Sequence, residues 1–329
     1  MAELGVAPGI IPAEAQIEID GQDQPALASG LLSALVLETT EGLYRCEAHF
    51  GNWGAHDGQT DYMYFDRRVL DFGKPIALVV GADEGRGEIF RGRISSMEGQ
   101  FRQEQPPAIV VLAEDRAMDL RMVRRTRAFE DMSDADVFNR IAGEHGLRAA
   151  IDISGPTHKV IAQVNQSDLA FVRERARRVD AEVWLEDRTL HVQPRTRRSA
   201  GGELVLEFGH GLLEFIVAAD LAHQHTSLVV SGWDVQAKER ISYEAGDAAL
   251  GSELDGGKSG ASVLSSSFGQ RVDRIVQQVP LTSAEAQAIA EASFRAQARR
   301  FVCGTGLARG DARLRVGARV TLRGLGPLF

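Results

Sequence analysis

Hydrophobic periodicity changes twice along this chain, and that change limits what it can fold into. From about residue 15 to 115 apolar residues recur in short alternating runs. These are "AQIEID", "LLSALVLETTEGLYRCEAHF" broken at Glu41–Gly42, "PIALVVG", "GEIFRGRISSMEGQF" and "PAIVVLAED". Alternation sends successive side chains to opposite faces of a half-buried strand, and turn residues punctuate the runs. A small barrel or sandwich is expected here. The glycines of "ADEGRG" make a turn between two strands and lack the G-x-G-x-x-G spacing of a dinucleotide loop.

At about Asp115 the period lengthens. "DRAMDLRMVRRTRAFED" is charged and is expected to begin with a short helix. In "SDADVFNRIAGEHGL", Ser133 can cap a helix with Asp136 in the capping-box position. Val137, Phe138 and Ile141 form its apolar face, and Gly146 supplies its stop. "HKVIAQV" reads as a strand. Ser167 then caps a helix expected over 168–181, where Leu169, Val172, Ala176 and Val179 make one stripe at 3-4-3 spacing. Glu174 and Arg178 form an i,i+4 pair on its solvated side. "AEVWLEDRTLHVQP" is a hairpin turning at Glu186–Thr189.

After the basic linker "RTRRSAGG" alternation returns in "ELVLEFG", "LLEFIVAADL" and "HTSLVVSGWDV". Residues 244–270, rich in Gly, Ser and Ala, are expected to form a long loop, because such a composition buries little apolar area to offset ordering. "TSAEAQAIAEASFRAQARRF" predicts a helix over 283–301, capped by Thr282 or Ser283. "ARLRVGARVTLRGLGPLF" ends on a strand without a visible partner, as a piece cut before a longer protein's next segment would. The fold class is therefore α+β and mainly β. The expected domains are 1–115, 116–198 and 199–329.

Bulk properties narrow the function. A length of 329 residues suits two or three domains. The net charge of −9 argues against nucleic acid as a partner, since phosphate affinity comes from accumulated Lys and Arg. Arg116–Arg198 runs against that trend, with 16 basic and 13 acidic residues, so the flanks carry −12 between them. Cys46 and Cys303 stand far apart, outside any CxxC pair, and read as reduced thiols. The first twenty residues lack the basic and apolar regions of a secretory signal. No apolar run reaches the ~18 residues needed to span a membrane. Synthesis in the cytoplasm is expected.

No set of residues points to catalysis. "GGKSG" at Gly256–Gly260 resembles the end of a phosphate loop, but Ser252 stands where the first glycine belongs. His223 and His225, read as strand neighbours on one face, would need His210 and Asp220 to complete a metal set. Carboxylates such as Asp20–Asp23 and Glu253–Asp255 lie in glycine-rich loops. Ser265–Ser267 is no nucleophile elbow, and neither GxSxG nor HExxH occurs. "RERARR" carries its own acids, Glu174 and Asp180, and reads as a helix face. Trp53, Trp184 and Trp233 are isolated and read as core or strand anchors. No catalytic, cofactor-binding or metal-binding residue is assigned, and no cofactor is expected.

Several of these elements, in this order, resemble the phage late control gene D / VgrG family, the baseplate hubs of contractile tails and injection systems. They are R-x-R-x-F at Arg125, Arg127 and Phe129, the helix leading into "AGEHGL", Gln163 with "NQSDLAFV", and the hairpin that follows. "SAEAQAIAEASFRAQARRF" leading into "GTGLARGDARLRVGARVTLRGLG" is similar as well. The resemblance implies two similar β-barrel hub domains with a small α/β subdomain inserted between them. It also implies a non-enzymatic structural protein, a homotrimer that adapts a six-fold tail tube to a three-fold spike. Implied partners are the tail tube protein, a spike or spike tip and baseplate wedge proteins. The implied location is a phage tail or tail-like particle, extracellular particles included. Two rivals stay open, a cell-wall-degrading enzyme and a β-rich binding module on the same apparatus. The first needs paired acids or a Cys/His set in a domain of its own. The second needs clustered exposed aromatics, in a chain only 6% aromatic.

Overall fold

The computed structural model describes residues 15–56, 59–81, 85–200, 202–235, 237–254 and 256–326, and the side chain of His56 is not among them. The start of the chain, read for a secretory signal, lies outside these residues, as do Ala82–Glu84 of the "ADEGRG" turn. Among the described residues no helix is long and apolar enough to cross a membrane.

The first stretch comprises β1 (Gln16–Ile19), β2 (Gln22–Asp23), α1 (Pro25–Ser29), β3 (Leu31–Leu37), β4 (Arg45–Gly51), β5 (Trp53–His56), β6 (Gln59–Tyr62), β7 (Pro75–Val80), β8 (Gly87–Gln100) and β9 (Ala108–Glu114). Seven strands form one sheet in the order β2-β1-β7-β8-β9-β4-β3, every neighbour antiparallel. The alternation works as read: Cys46, Ala48 and Phe50 point inward from β4, and Ile17, Ile19, Leu78, Phe90, Ile94 and Val111 join them. β5 and β6 form a separate hairpin.

The middle stretch holds α2 (Ala117–Arg121), β10 (Arg124–Met132), α3 (Asp134–Glu144), β11 (Arg148–Ile151), β12 (His158–Ser167), α4 (Asp168–Arg177), β13 (Ala181–Glu186) and β14 (Thr189–Pro194). β10 pairs with β12, and β14 lies between a parallel β11 and an antiparallel β13. Both helix starts are capped as the residues dictate. Ser133 and Asp136 exchange the two bonds of a capping box, and the Ser167 hydroxyl accepts from the Ala170 N–H. Leu169, Val172 and Ala176 are sealed in a common core with Phe138, Ile141 and Val183, and Val179 packs at its margin. Phe171 is buried as well and stacks on Phe129, so α4 is enclosed on two sides. The helix is shorter than expected. It ends at Arg177, and Asp180 adopts a left-handed φ of 57° that turns the chain into β13.

The last stretch contains β15 (Glu203–Glu207), β16 (Leu212–Ala219), β17 (Ser227–Asp234), β18 (Glu239–Ala245), a 3-10 segment (Asp247–Glu253), α5 (Gly260–Phe268), β19 (Val272–Ile275), α6 (Ser283–Ala298), β20 (Val302–Ala308) and β21 (Arg319–Arg323). Its strands fall into three small sheets: β15-β21, β16-β20 and β18-β17-β19. α6, capped by Thr282, stops at Ala298 rather than at 301 and covers β17 and β18 through Ala286, Ile289, Ala290 and Phe294.

Two expectations are corrected. Among the described residues there is no closed barrel. The seven-stranded sheet ends on β2, which offers only two residues for pairing, and on β3, whose outer edge pairs with no strand among the described residues. The stretch 244–270, expected as a loop, carries a 3-10 turn and the nine-residue α5. Leu250, Ala261 and Leu264 are buried, and Ser259 caps α5 while donating to Asp247 at 2.7 Å. Small residues there do not mean little burial, because close approach to β17 and α6 compensates for their size.

Val172 is fully enclosed, so Val172→Asp is expected to cost roughly 3 kcal/mol or more by burying an unpaired charge. Thermal melting within a degree or two of wild type would remove that stripe from the core.

Candidate functional site

The residues that carry the family resemblance converge. Arg125 and Arg127 leave β10, Gln163 leaves β12, Glu144 and His145 end α3, and Asp168 opens α4. The Asp168 carboxylate is 1% exposed. It accepts from Arg127 Nη2 (2.8 Å), Gln163 Nε2 (2.8 Å) and His145 Nε2 (2.8 Å), with Arg125 Nε at 3.4 Å. Arg127 also reaches Gln163 Oε1 at 2.8 Å and Glu144 at 2.6 Å, and its guanidinium lies 4.8 Å from the centre of the Phe129 ring. Burial works to raise the Asp168 pKa. The hydrogen bonds from His145 and Gln163 and the charges of Arg127 and Arg125 outweigh it and hold the carboxyl below its ordinary value. A carboxylate held by three hydrogen bonds and almost wholly enclosed is not presented to solvent. Its chemistry is to lock β10, β12, α3 and α4 together, aided by its place at the start of α4.

A second buried pair repeats the pattern. Arg175 grips Asp134 with two bonds, at 2.6 and 2.9 Å, tying α4 to the start of α3.

A third cluster joins the three stretches. Asp115 accepts from the Tyr44 and Ala117 N–H groups, each at 2.8 Å, and burial pushes its carboxyl up to about 6 despite those two donors. The Tyr44 hydroxyl accepts from Arg198, and burial pushes it up to about 12. Arg198 donates to Glu182 at 2.8 Å and stacks 4.2 Å from the Trp184 ring centre. Arg315 adds a two-bond contact to Glu38 at 2.8 and 3.1 Å. Gly42 belongs here by necessity: φ is 66°, and a Cβ would stand 2.5 Å from the Val183 carbonyl oxygen.

The sequence candidates for chemistry disperse. His223 and His225 lie in the connection before β17, not on a strand, and His225 Nδ1 is 2.9 Å from Gln297 Oε1. His210 is exposed in a turn, and Asp220 accepts from the Ala222 N–H. Among the described residues no group of three or more His, Cys, Asp or Glu gathers as a metal set would. In "GGKSG", Ser259 is a helix cap, and a Cβ on Gly260 would meet Gln224 at 2.5 Å, so the motif serves packing. Both cysteines are free, Cys46 buried and Cys303 exposed.

Trp53 and Trp233 are not core residues; they are 48% and 52% exposed. Trp53 belongs to an aromatic cluster with Tyr62 (5.2 Å between ring centres), Phe65 and Phe101. Sequence reasoning missed it because Phe101 joins from 39 positions beyond Tyr62, and only the fold brings them together. Further apolar surface lies on the β16-β20 ribbon, where Ile216, Leu213, Val302 and Leu307 are exposed, and on β3, where Leu32 and Leu35 are. A two-stranded ribbon so little buried does not stabilise itself in water, and a free strand edge beside exposed leucines invites pairing.

The model of the Alg8 N-terminal domain family matches residues 55–329, which is 275 of the 329. The chain belongs to the Alg8 N-terminal domain family. The matching model is that family's and not one of the gene D / VgrG family, while the tail-type fold expected with the resemblance holds. No curated protein matches the chain. Solved structures do. A 43 kDa tail protein of a Shewanella oneidensis prophage is similar with a TM-score of 0.62 and 10% identity, covering 89% of this chain and 81% of that one. A tail protein from Neisseria meningitidis has a TM-score of 0.62 and 12% identity, covering 95% and 87%. A prophage tail protein from Listeria monocytogenes has a TM-score of 0.53 and 11% identity, covering 89% and 80%. At such identities the likeness is one of fold, and this Alg8 N-terminal domain protein shares the fold of phage tail proteins.

Two predictions follow from the buried charges. Asp168 stabilises as the carboxylate. Its folded pKa lies below the ordinary 3.8, so the contribution is complete above that value and is lost as pH falls through the lowered one. Asp168→Asn should therefore be less stable than wild type near neutral pH, with the gap narrowing below pH about 4 in acid unfolding followed by circular dichroism. A constant gap would show that the ionised carboxylate contributes nothing. Arg198→Ala should cost about 3 kcal/mol in urea unfolding, because it leaves Glu182 only the longer contact to Arg195, at 3.6 Å, beside a buried phenol. Arg198→Lys should recover only part, since an ammonium lacks the planar fork that stacks on Trp184.

Proposed function

We propose that the chain is a structural hub of a phage tail-like contractile injection particle. In this role it works as a homotrimer between a six-fold tail tube and a three-fold spike, contacts baseplate wedge proteins and carries out no reaction. The observation that supports this most is the fold shared with tail proteins over about nine-tenths of the chain. The unit boundaries 1–115, 116–198 and 199–329 belong to the same proposal. Its logic is mechanical. A hub must transmit contraction force without shearing, and three stretches cross-tied by buried arginine–carboxylate pairs suit that load. It must also close a ring with its own copies. The β16-β20 ribbon and the β3 edge, apolar and unpaired, are the faces such copies would cover.

A second reading has one observation in its favour. The aromatic cluster of Trp53, Tyr62, Phe65 and Phe101 is the feature expected of a β-rich binding module on the same apparatus.

Cryo-electron microscopy of the particle that holds this protein is expected to find three copies on the tail axis. Ile216→Asp with Leu307→Glu should prevent that assembly while leaving the melting temperature of the isolated chain within a few degrees of wild type. One copy or six on the axis, or intact particles from the double variant, would refute the hub role or the assigned face respectively.

A further inference from the structure

A cleft of about 810 Å³ opens between α4, β13 and α6. Its floor is shallow where α6 presents Ala292, Ser293 and Ala296. Small side chains there let a guest backbone approach the helix closely. The rim is charged and unbalanced. Six arginines and four carboxylates line it, an excess of two positive charges in a molecule of net charge −9.

Each carboxylate already has its arginine. Glu41 pairs with Arg177 at 2.6 Å, Glu174 with Arg178 at 2.9 Å, Glu182 with Arg195 at 3.6 Å, and Asp180 with Arg299 at 2.6 Å. Arg173 and Arg300 are the excess. Neither has a carboxylate at ion-pair distance among the described residues. Arg173 Nε and Arg178 Nε are buried donors without an acceptor, and Gln278 Oε1 is a buried acceptor without a donor. Burial lowers the Arg173 pKa, and Arg177 and Arg121 act in the same direction against Glu41 and Asp115. The cleft holds a partly buried cation that pairs with no carboxylate among the described residues.

We infer that this cleft binds an acidic peptide segment of another protein. Two features select a peptide over a phosphate. Guanidinium forks accept either carboxylate or phosphate. A phosphate, however, offers Gln278 Oε1 at most an acidic O–H, and none once fully ionised, whereas a peptide brings backbone N–H groups along with its carboxylates. The four rim acids would also repel a dense polyanion, while a chain of spaced carboxylates can seat each one between them. Such a groove would bind the same chemistry whether or not the chain sits in a tail hub.

The test is fluorescence anisotropy on the full chain, using a labelled peptide of alternating Glu and Ala and a control with Gln for Glu. Saturable binding of the Glu peptide alone is expected, weakening as salt is raised. Arg173→Ala with Arg300→Ala should weaken it about tenfold or more with the melting temperature within a few degrees of wild type, since neither guanidinium holds an ion pair among the described residues. Gln278→Leu should weaken it a further few-fold by removing the acceptor. Equal binding of the Gln control, indifference to the double arginine variant, or complete displacement by equimolar tripolyphosphate would each overturn the assignment. The last would make the cleft a simple anion site.

Discussion

A buried guanidinium has to be paired or the chain around it does not fold, and Arg198 imposes that condition on the whole molecule. Its side chain is 3% exposed. Everything that satisfies it comes from elsewhere: Glu182 and Trp184 from β13, and Tyr44 from the start of the first sheet's β4. Tyr44 in turn is held by Asp115, at the exit of β9. Arg198, which leaves the middle stretch, thus binds the first stretch directly at Tyr44 and, through Tyr44, the exit of β9. Gly317, against whose absent Cβ Arg198 packs, brings the last stretch to the same point. Isolated charges in a low-dielectric interior are costly enough that these partners must assemble together or not at all.

The same logic extends outward along the seams. Asp180, just past the end of α4, receives Arg295 and Arg299 from α6, and Arg299 carries on to Glu253. Burial opposes the charge of Arg299, but the bonds to Asp180 and Glu253 outweigh it, and its pKa rises above the ordinary value. Arg177 reaches Glu41 across the other seam. Ion pairs of both senses therefore cross the seams: Asp180 of the middle stretch takes arginines from α6, and Arg177 of the middle stretch supplies one to Glu41. Charge used in this way is spent on holding elements together. The charges left over, at Arg173 and Arg300, lie at the surface of the cleft.

Local features were legible because they depend on neighbours in the chain. The Ser133–Asp136 box, the Ser167 cap, the Leu169–Val172–Ala176 stripe, the turn at Glu41–Gly42 and the hairpin at Glu186–Thr189 all involve residues within a few positions of one another. The order of β-rich, mixed and β-rich stretches followed from hydrophobic period alone. A signal for α5 was present too. Ala261, Leu264 and Phe268 follow helical spacing behind Ser259, but the surrounding glycines and serines outweighed it. A composition rule misjudges a helix whose small residues are buried by close approach.

Sequence by itself determined where strands and helices run, which of their faces turn inward, and that no familiar catalytic motif is present. Those are consequences of backbone sterics and of apolar side chains avoiding water, and both act over short distances. Tertiary structure decided which strands pair, and so that the sheets stay open. It decided that Arg125, Arg127, Gln163, Glu144, His145 and Asp168 form one network, and that Trp53 and Phe101 meet at the surface. Pairing across a hundred residues depends on the geometry of every segment between, because loop closure and the satisfaction of buried charge are settled by the whole chain at once.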